Sequence, residues 1–319
     1  MENIHLVSGR GNLPFSQKIS KALRIPLTPV NIKTFADGEI YVRIEKKVRN
    51  DDVYIIQSFS KPVNDHLMEL LIMIDALKRA SARRINLLSP YLCYSRQDRK
   101  ADSREPITAK LVANLITKAG ADRVISIDLH ADQIQGFYDI PVDHLVGYPM
   151  FADHLLKKRL KDIVIVSPDV GSAKKARKMA NLLHAPLVIA DKRRKKHNEC
   201  EVTYIIGEVK NKTAVIVDDM IDTAGTVTNV AHEIKKKGAK DILICASHGL
   251  LSNDAAQKLD KCPASKIILL DTIDIPKEKV IPKMEIISVA PLLAKVIKRI
   301  HTGKSLGELF KWEEKETAF

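Results

Sequence analysis

The stretch Val215-Ile216-Val217-Asp218-Asp219-Met220-Ile221-Asp222-Thr223-Ala224-Gly225-Thr226 combines features that together indicate a fold and a site. An apolar strand leads directly into two carboxylates and then into a small, hydroxyl-rich turn, after which the sequence predicts a helix over residues 227–237. Backbone N–H groups at the start of a helix bind anions. Thr223, Gly225 and Thr226 therefore predict a cradle for a phosphate group.

The two acids before the turn, Asp218 and Asp219, suit another part of the same ligand. Carboxylates repel phosphate, but they accept hydrogen bonds from vicinal ribose hydroxyls and they bind divalent cations. Two adjacent acids alone would be an ordinary solvated pair. The order of strand, acids, turn and helix instead favours a site for a phosphorylated ribose.

The rest of the chain alternates short apolar, β-branched runs with longer amphipathic stretches. This alternation is typical of an α/β protein, in which helices cover parallel sheets. A length of 319 residues exceeds what one core usually supports. We therefore expect two domains.

The two halves of the chain repeat the same order of elements at an offset of about 160 residues. Corresponding segments are residues 4–9 and 163–171, 35–42 and 192–205, 53–57 and 214–218, and 85–88 and 242–245. A duplication explains this order, so we expect domains over residues 1–147 and 148–319. Because the second copy alone carries the acidic turn, the first is expected to bind a nucleotide or to serve assembly.

The balance of charge indicates the kind of ligand. The chain carries 52 lysine and arginine residues against 39 acids, a formal charge of +13, which attracts nucleic acid, an anionic membrane or small phosphorylated ligands. Aromatic residues make up only 5% of the chain and do not interleave with its basic runs. Because single-stranded nucleic acid is bound by stacking on such residues, we expect small phosphorylated ligands and no nucleic-acid partner.

Cysteine usage and hydropathy indicate the compartment. The four cysteines lie far apart, without the spacing of a disulfide framework or a structural metal site. The first 20 residues lack a signal-peptide pattern, and the longest apolar run, over residues 67–77, contains Glu69 and Asp75. We expect a cytoplasmic protein that does not enter a membrane.

Residues 123–130 predict a strand that ends in Asp-x-His, with the side chains of Asp128 and His130 on the same side at its carboxyl end. His130 suits a metal ion or a phosphate. A lone histidine is more often a structural, hydrogen-bonded one, so this segment alone does not decide between the two.

A loop over residues 94–106 is dense in cations and precedes a predicted helix over residues 107–119. Arg96, Arg99 and Arg104 suit bidentate contacts to phosphate. The alternative is a solvated charged loop, but the density of arginine favours a polyphosphate site.

The basic cluster Asp191-Lys192-Arg193-Arg194-Lys195-Lys196 has two interpretations. A run of cations is typical of nuclear localisation or nucleic-acid binding. Lys192 and Arg194 also alternate at strand spacing, so both would face one cleft and neutralise a phosphoryl group in transit. Asp169, in a Ser-Pro-Asp-Val-Gly turn, would then supply a carboxylate for magnesium.

Several ordered motifs make the chain resemble the ribose-phosphate pyrophosphokinases over nearly its whole length. They are residues 35–39, 94–99, 104–110, 128–137 and 191–194, together with the acidic turn. The acidic turn alone fits any type I phosphoribosyltransferase, whereas the motifs at 96–99 and 128–130 are typical of the synthetases. The resemblance implies an α/β fold of two tandem type I phosphoribosyltransferase-like domains, each a mainly parallel sheet flanked by helices.

The resemblance also implies a reaction, in which the pyrophosphoryl group of ATP passes to the C1 hydroxyl of ribose 5-phosphate and leaves AMP. Two magnesium ions per site are implied, one bound by His130 with ATP and one by Asp169 near the ribose. Lys192 and Arg194 would be the catalytic residues that stabilise the group in transit. No general base is identifiable, which agrees with a protein that works by positioning and electrostatics.

Binding residues and assembly are implied in the same way. Adenine would be held by Phe35, Asp37 and Glu39, reaching into the site of a neighbouring subunit, and Arg96 and Gln97 would add to the ATP pocket. Ribose 5-phosphate would be bound by Arg194, Asp218, Asp222, Thr223, Ala224, Gly225 and Thr226. The implied assembly is a homohexamer.

This chain departs from the family pattern where regulation is concerned. Members controlled by phosphate and ADP often carry a Ser-Val-Ser-type loop where this chain has Ser305-Leu306-Gly307-Glu308, and a carboxylate disfavours anion binding there. Lys47 stands where serine is frequent, and Asp102 where arginine is common. We expect weakened control by both anions.

Two other functions stay open on the sequence. A nucleobase phosphoribosyltransferase would have no use for Arg96 and His130. A non-catalytic regulatory subunit associated with a synthetase would normally show an eroded metal or basic motif, and here both are intact.

Overall fold

A computed structural model of the chain describes residues 4–193 and 202–309. The first part of the chain forms β1 (Ile4–Ser8), α1 (Leu13–Leu23), β2 (Val30–Thr34), β3 (Ile40–Ile44), β4 (Asp52–Ile56), α2 (Val63–Arg79), β5 (Arg84–Ser89), α3 (Thr108–Ala119), β6 (Arg123–Ile127) and β7 (Val142–Leu145). The second part forms α4 (Tyr148–Lys157), β8 (Ile163–Ser167), α5 (Ala173–Leu182), β9 (Leu187–Arg193), β10 (Val202–Ile206), β11 (Thr213–Ile221), α6 (Gly225–Lys236), β12 (Asp241–Gly249), α7 (Ala255–Lys261), β13 (Lys266–Leu270), β14 (Met284–Ile287) and α8 (Ala290–His301).

The described residues divide into two compact units. Unit 1 comprises residues 4–145, 272–274 and 288–309, and unit 2 comprises residues 146–193, 202–271 and 275–287. Helix α8 thus belongs to unit 1, although it follows unit 2 along the chain. The division of labour between residues 1–147 and 148–319 stays a prediction.

Unit 1 contains a five-stranded parallel sheet in the order β1-β4-β5-β6-β7. Its strands β1 and β4 are buried along their whole length, which explains why they are continuous apolar runs. The antiparallel pair β2–β3 forms a separate two-stranded sheet, and β3 packs against α2.

Unit 2 contains a seven-stranded sheet in the order β10-β9-β8-β11-β12-β13-β14. The pair β9–β10 is antiparallel, and every other pairing in this sheet is parallel. Aliphatic side chains of β8, β11, β12 and α6 form its core. The prediction of an α/β protein with parallel sheets flanked by helices is confirmed.

The repeated order of elements is visible in the sheets. In unit 1, β4 lies between β1 and β5, and in unit 2, β11 lies between β8 and β12 in the same way. The two copies differ in the hairpin that follows α1 in unit 1 and α5 in unit 2. The unit 2 hairpin β9–β10 joins the main sheet through β8, whereas the unit 1 hairpin β2–β3 does not.

Three predicted boundaries were wrong. Strand β11 includes both acids and ends at Ile221, because Met220 and Ile221 continue the ladder with β12. Helix α6 begins at Gly225 and not at Val227, since Ala224 takes a left-handed backbone (φ 63°) that turns the chain into the helix two residues early. Helix α3 begins one residue later than predicted, after Ile107.

The predicted strand over residues 123–130 ends early as well. Strand β6 stops at Ile127, and Asp128 takes a left-handed backbone with φ 41°. The alternation of side chains along a strand therefore does not extend to His130, and the expectation that Asp128 and His130 share one side through that alternation was wrong.

Cys93, Cys245 and Cys262 are buried free thiols, and burial raises the pKa of Cys93 to about 12. Cys200 lies outside the described residues. No helix in residues 4–193 and 202–309 has the length and apolar character needed to cross a membrane.

Candidate functional site

The acidic turn of unit 2 lies at the carboxyl ends of two adjacent parallel strands. Pairing of Ile216 in β11 with Val166 in β8 brings the segment after β8 to the same edge of the sheet as Asp218. Ser172 links the two segments, because its backbone N–H donates to Asp169 Oδ1 at 2.7 Å and its hydroxyl donates to Asp218 Oδ1 at 3.1 Å. Two predicted site residues, Asp169 and Asp218, are thus brought together.

Negative charge is concentrated in this cluster. Burial, followed by the charges of Asp219 and Asp169, raises the pKa of Asp218 well above its usual range. Asp219 is buried, and the ammonium group of Lys175 lies 3.8 Å from its Oδ2. The cluster therefore favours a cation or a hydroxyl donor beside Asp218.

The turn after β11 has the geometry of an anion cradle. Ala224 holds its left-handed backbone immediately before α6, and no described side chain caps the helix. A methyl group built at Gly225 would meet only Thr223 Oγ1, at 4.0 Å, among the described residues. Space is therefore open beside Gly225 at the N-terminal end of α6, the end of a helix that binds anions.

His130 lies on a loop of unit 1 whose backbone is held by hydrogen bonds. The N–H of Leu129 donates to His144 Nε2 at 3.0 Å, so the ring proton of His144 is on Nδ1, which lies 3.8 Å from Asp132 Oδ1. The N–H of Asp128 donates to Leu145 O at 2.9 Å. These contacts hold the backbone on the N-terminal side of His130, whose side chain is exposed.

Phe35, Asp37 and Glu39 lie together at the tip of the β2–β3 hairpin. The N–H of Phe35 donates to Glu39 O at 2.8 Å, and Asp37 Oδ1 accepts from the N–H of Glu39 at 3.0 Å. Gly38 takes φ 94°, which closes the turn. The ring of Phe35 is 51% exposed and lies 5.9 Å from the ring of Tyr41, so it is available for stacking.

Arg96 and Gln97 are exposed on the loop that precedes α3. The carbonyl of Gln97 accepts from the N–H of Ala109 at 3.1 Å, and its side-chain oxygen accepts from the hydroxyl of Thr108. Gln133, which follows His130, donates to Asp98 at 3.4 Å. The arginine loop and the His130 segment are therefore connected within unit 1.

The basic cluster lies partly outside the described residues. Lys192 is in β9, where its backbone pairs with Thr203 of β10, so the predicted strand position is confirmed. Arg194 lies outside the described residues, and the prediction that it shares a cleft with Lys192 stays a prediction.

Ser172 is the residue of this site that the sequence did not reveal. It follows the Ser-Pro-Asp-Val-Gly turn, and a small polar residue there attracts little notice. The parallel pairing of β8 with β11 is the signal that would have identified it, since such pairing makes the segments after both strands neighbours.

Comparison with known proteins was consistent across the chain. Residues 4–120 match the model of the N-terminal domain of ribose phosphate pyrophosphokinase, and residues 196–311 match the phosphoribosyl synthetase-associated domain. Ribose-phosphate pyrophosphokinase from Bacillus caldolyticus is 51% identical, with 96% of this chain and 98% of the relative covered. The enzyme from Caldanaerobacter subterraneus is 52% identical, with 97% and 98% covered.

A solved structure agrees with the sequence matches. Phosphoribosylpyrophosphate synthetase from Mycobacterium smegmatis has a TM-score of 0.90 and 42% identity, covering 95% of this chain and 100% of that one. The chain therefore belongs to the ribose-phosphate pyrophosphokinase family.

Proposed function

We propose that this chain transfers the pyrophosphoryl group of ATP to the C1 hydroxyl of ribose 5-phosphate, giving phosphoribosyl pyrophosphate and AMP. The carrying observation is identity of about one residue in two, over nearly the full length, to relatives named ribose-phosphate pyrophosphokinase. A bond forms between the C1 oxygen and the β-phosphorus, and the bond from that phosphorus to the α,β-bridging oxygen breaks. AMP leaves with the bridging oxygen, and the C1 hydroxyl loses its proton.

The residues of unit 1 are proposed to bind ATP. The exposed hairpin tip with Phe35, Asp37 and Glu39 offers an aromatic ring and two acceptors, which suit the face and the amino group of adenine. Arg96 and Gln97 suit the phosphates and the ribose of the nucleotide.

The residues of unit 2 are proposed to bind ribose 5-phosphate. Asp218 would accept hydrogen bonds from the ribose hydroxyls, and Asp222 to Thr226 would cradle the 5-phosphate, with Arg194 as a further contact. Lys192 and Arg194 would stabilise negative charge on the group in transit. The protein then works mainly by positioning and electrostatics.

Mg²⁺ is the proposed cofactor, with two ions per site held by His130 and Asp169. In the described part of the chain, no group of three or more His, Cys, Asp and Glu side chains is arranged to hold a metal. Mg²⁺ usually takes one or two protein ligands and completes its shell with water and substrate phosphates, so single ligands fit this ion. Burial raises the pKa of Asp218 most, and the like charges of Asp219 and Asp169, which raise it further, also favour a cation in this cluster. When bound, Mg²⁺ neutralises charge on the polyphosphate.

We also propose a cytoplasmic homohexamer, in which the hairpin tip reaches the site of a neighbouring subunit. Light scattering of the purified chain tests the assembly, since a mass of six chains is expected.

Formation of AMP tests the reaction. Incubation with ATP, ribose 5-phosphate and Mg²⁺ should release AMP and a product that carries the pyrophosphoryl group on C1. Omission of the sugar or chelation of the metal should abolish the formation of AMP and of this product. Folded protein that releases no AMP would contradict the proposal and favour a regulatory subunit. Consumption of phosphoribosyl pyrophosphate with a nucleobase would instead favour a phosphoribosyltransferase.

A further inference from the structure

A buried carboxylate in unit 1, that of Glu69, accepts hydrogen bonds from the loop that follows β1. The side chain of Glu69, in α2, is fully buried, and a buried charge is tolerated only when it is paired and hydrogen-bonded. Its Oε1 accepts from the backbone N–H of Arg10 at 2.7 Å and from the side-chain amide of Gln57 at 3.0 Å. Its Oε2 pairs with Nε of Arg10. Two of these three donors belong to Arg10, so Glu69 fixes both the backbone and the guanidinium of that residue.

The backbone on either side of Arg10 is held just as tightly. A methyl group at Gly9 would lie 2.5 Å from Gln57 Oε1, and one at Gly11 would lie 2.0 Å from Ser58 O. The N–H of Gly11 also donates to Gln57 Oε1 at 3.0 Å. These close approaches require glycine and leave Arg10 little freedom to move.

The guanidinium of Arg10 contacts both Glu69 and the hairpin β2–β3. Its Nη1 donates to the hydroxyl of Thr34 at 3.0 Å. Thr34 is the last residue of β2 and directly precedes Phe35 at the hairpin tip. The hairpin makes no ladder with the five-stranded sheet, and an isolated two-stranded hairpin is only marginally stable. Backbone bonding of Thr28 to Leu6 of β1 holds the base of the hairpin, and the orientation of its tip depends on side-chain contacts such as this one and on packing of β3 against α2.

We infer that Arg10, anchored by Glu69, is a positioning residue that sets the orientation of the hairpin tip and thereby the affinity for the nucleoside triphosphate. The inference rests on the proposed function, because it gives the tip a nucleotide to bind. In this role Arg10 acts through Thr34.

Thr34→Val removes the hydroxyl and keeps the shape and strand propensity of the side chain, so Glu69 stays paired and the fold is preserved. We expect the Kd for α,β-methylene-ATP with Mg²⁺, measured by calorimetry, and the KM for ATP to rise about threefold to tenfold, the range of one lost hydrogen bond. The kcat and the KM for ribose 5-phosphate should stay unchanged. Thr34→Ser, which keeps the hydroxyl, should bind like the unaltered chain.

Arg10→Lys is the second single variant of a double-mutant cycle with Thr34→Val. Lysine can still pair with Glu69 but cannot also reach Thr34, so Arg10→Lys alone should weaken nucleotide binding as much as Thr34→Val, and the double variant should weaken it no further. Unchanged affinity in Thr34→Val, or additive losses in the double variant, would overturn the inference. An unaltered chain that releases no AMP would contradict the proposed function instead, and the affinity comparison would still decide the role of Arg10.

Discussion

The hydroxyl of Ser172 donates a hydrogen bond to Asp218 Oδ1 at 3.1 Å, while the backbone N–H of Ser172 holds Asp169. Ser172 therefore ties together a proposed magnesium ligand and a proposed ribose ligand. Removing its hydroxyl leaves Asp218 Oδ1 with the bond from the backbone N–H of Asp219 at 2.9 Å, so the carboxyl group is held less firmly. The bond from Ser172 to Asp169 comes from the backbone and survives.

Ser172→Ala should lower kcat/KM for ribose 5-phosphate about threefold to tenfold, with little effect on the KM for ATP, because it removes one of the hydrogen bonds that orient the Asp218 carboxyl group. Steady-state kinetics with each substrate varied in turn measures the effect. Ser265→Ala is the matched control, since among the described residues the Ser265 hydroxyl bonds only to a backbone carbonyl, Ile242 O at 3.3 Å. Equal losses in both variants would show that Ser172 is merely structural.

Gly225→Ala tests the phosphate cradle. The added methyl meets no protein atom closer than 4.0 Å among the described residues, so the fold should tolerate it, and alanine favours a helix over glycine. The same methyl would obstruct a phosphate that approaches the N–H groups of α6. We expect the KM for ribose 5-phosphate to rise about tenfold or more and the melting temperature to stay within about 4 °C.

Asn229→Ala, at an exposed position one turn after Gly225 in α6, is the control for a substitution to alanine in the same helix. It should leave the KM for ribose 5-phosphate unchanged. A KM in Gly225→Ala that equals that of the control would remove the turn from phosphate binding.

How far the sequence predicts the site depends on whether a feature is local. The acidic turn was identified because strand, acids and turn are consecutive, and local pattern is what a sequence records. The start of α6 was missed because Ala224 takes a left-handed backbone, which alanine rarely adopts and which no residue type signals there. The role of Ser172 was missed because it spans 46 residues and depends on which strands pair.

The same limit applies in unit 1. The sequence marked the hairpin tip at Phe35, but the link from Glu69 through Arg10 joins residues 59 apart and was not predicted. In the sequence, Glu69 interrupts an apolar run. Its burial shows that an acid in such a run can belong to the core when hydrogen-bond donors, here Arg10 and Gln57, surround it.

Lys192→Ala tests stabilisation of the group in transit. A fixed cation placed where charge redistributes in the reaction stabilises the transition state more than the bound substrates, so kcat should fall about 10²-fold to 10³-fold while the KM of each substrate changes less than about threefold. Lys236→Ala, on the exposed face of α6, should leave both constants unchanged. A turnover that matches the control would exclude Lys192 from the mechanism.

Asp52 makes the stability of unit 1 depend on pH. Burial alone would raise the pKa of Asp52, but hydrogen bonds from Arg84, His301 and Arg83 outweigh it and lower the pKa to about 2 from a usual 3.8. Because the pKa is lower in the folded chain, the group stabilises the fold above about pH 4 and loses this contribution as the pH falls through about 2.

The unfolding free energies of the unaltered chain and of Asp52→Asn should therefore differ less in acid. Between about pH 6 and about pH 2.5 the difference in unfolding free energy between the two proteins should shrink by about 1.5 kcal/mol, measured by urea unfolding at each pH. Asp75→Asn removes an exposed pair with Arg79, and its gap should change by less than about 0.5 kcal/mol. A gap for Asp52→Asn that stays constant with pH would contradict this account.

Arg299 and Glu308 bear on regulation by anions. The guanidinium of Arg299 pairs with the carboxylate of Glu308, and its Nε donates to Ser305 O at 2.6 Å. A cation that is already paired attracts a free anion less strongly, which agrees with the expected weakening of control by phosphate and ADP.

Glu308→Gln keeps the size of the side chain and removes the charge. Activation by phosphate and inhibition by ADP at saturating ATP should therefore be at least about twofold stronger in Glu308→Gln than in the unaltered chain. Glu278→Gln, on the short helix Lys277–Lys279, is the control and should respond like the unaltered chain. Equal responses in all three proteins would mean that the Glu308 carboxylate has no part in anion control.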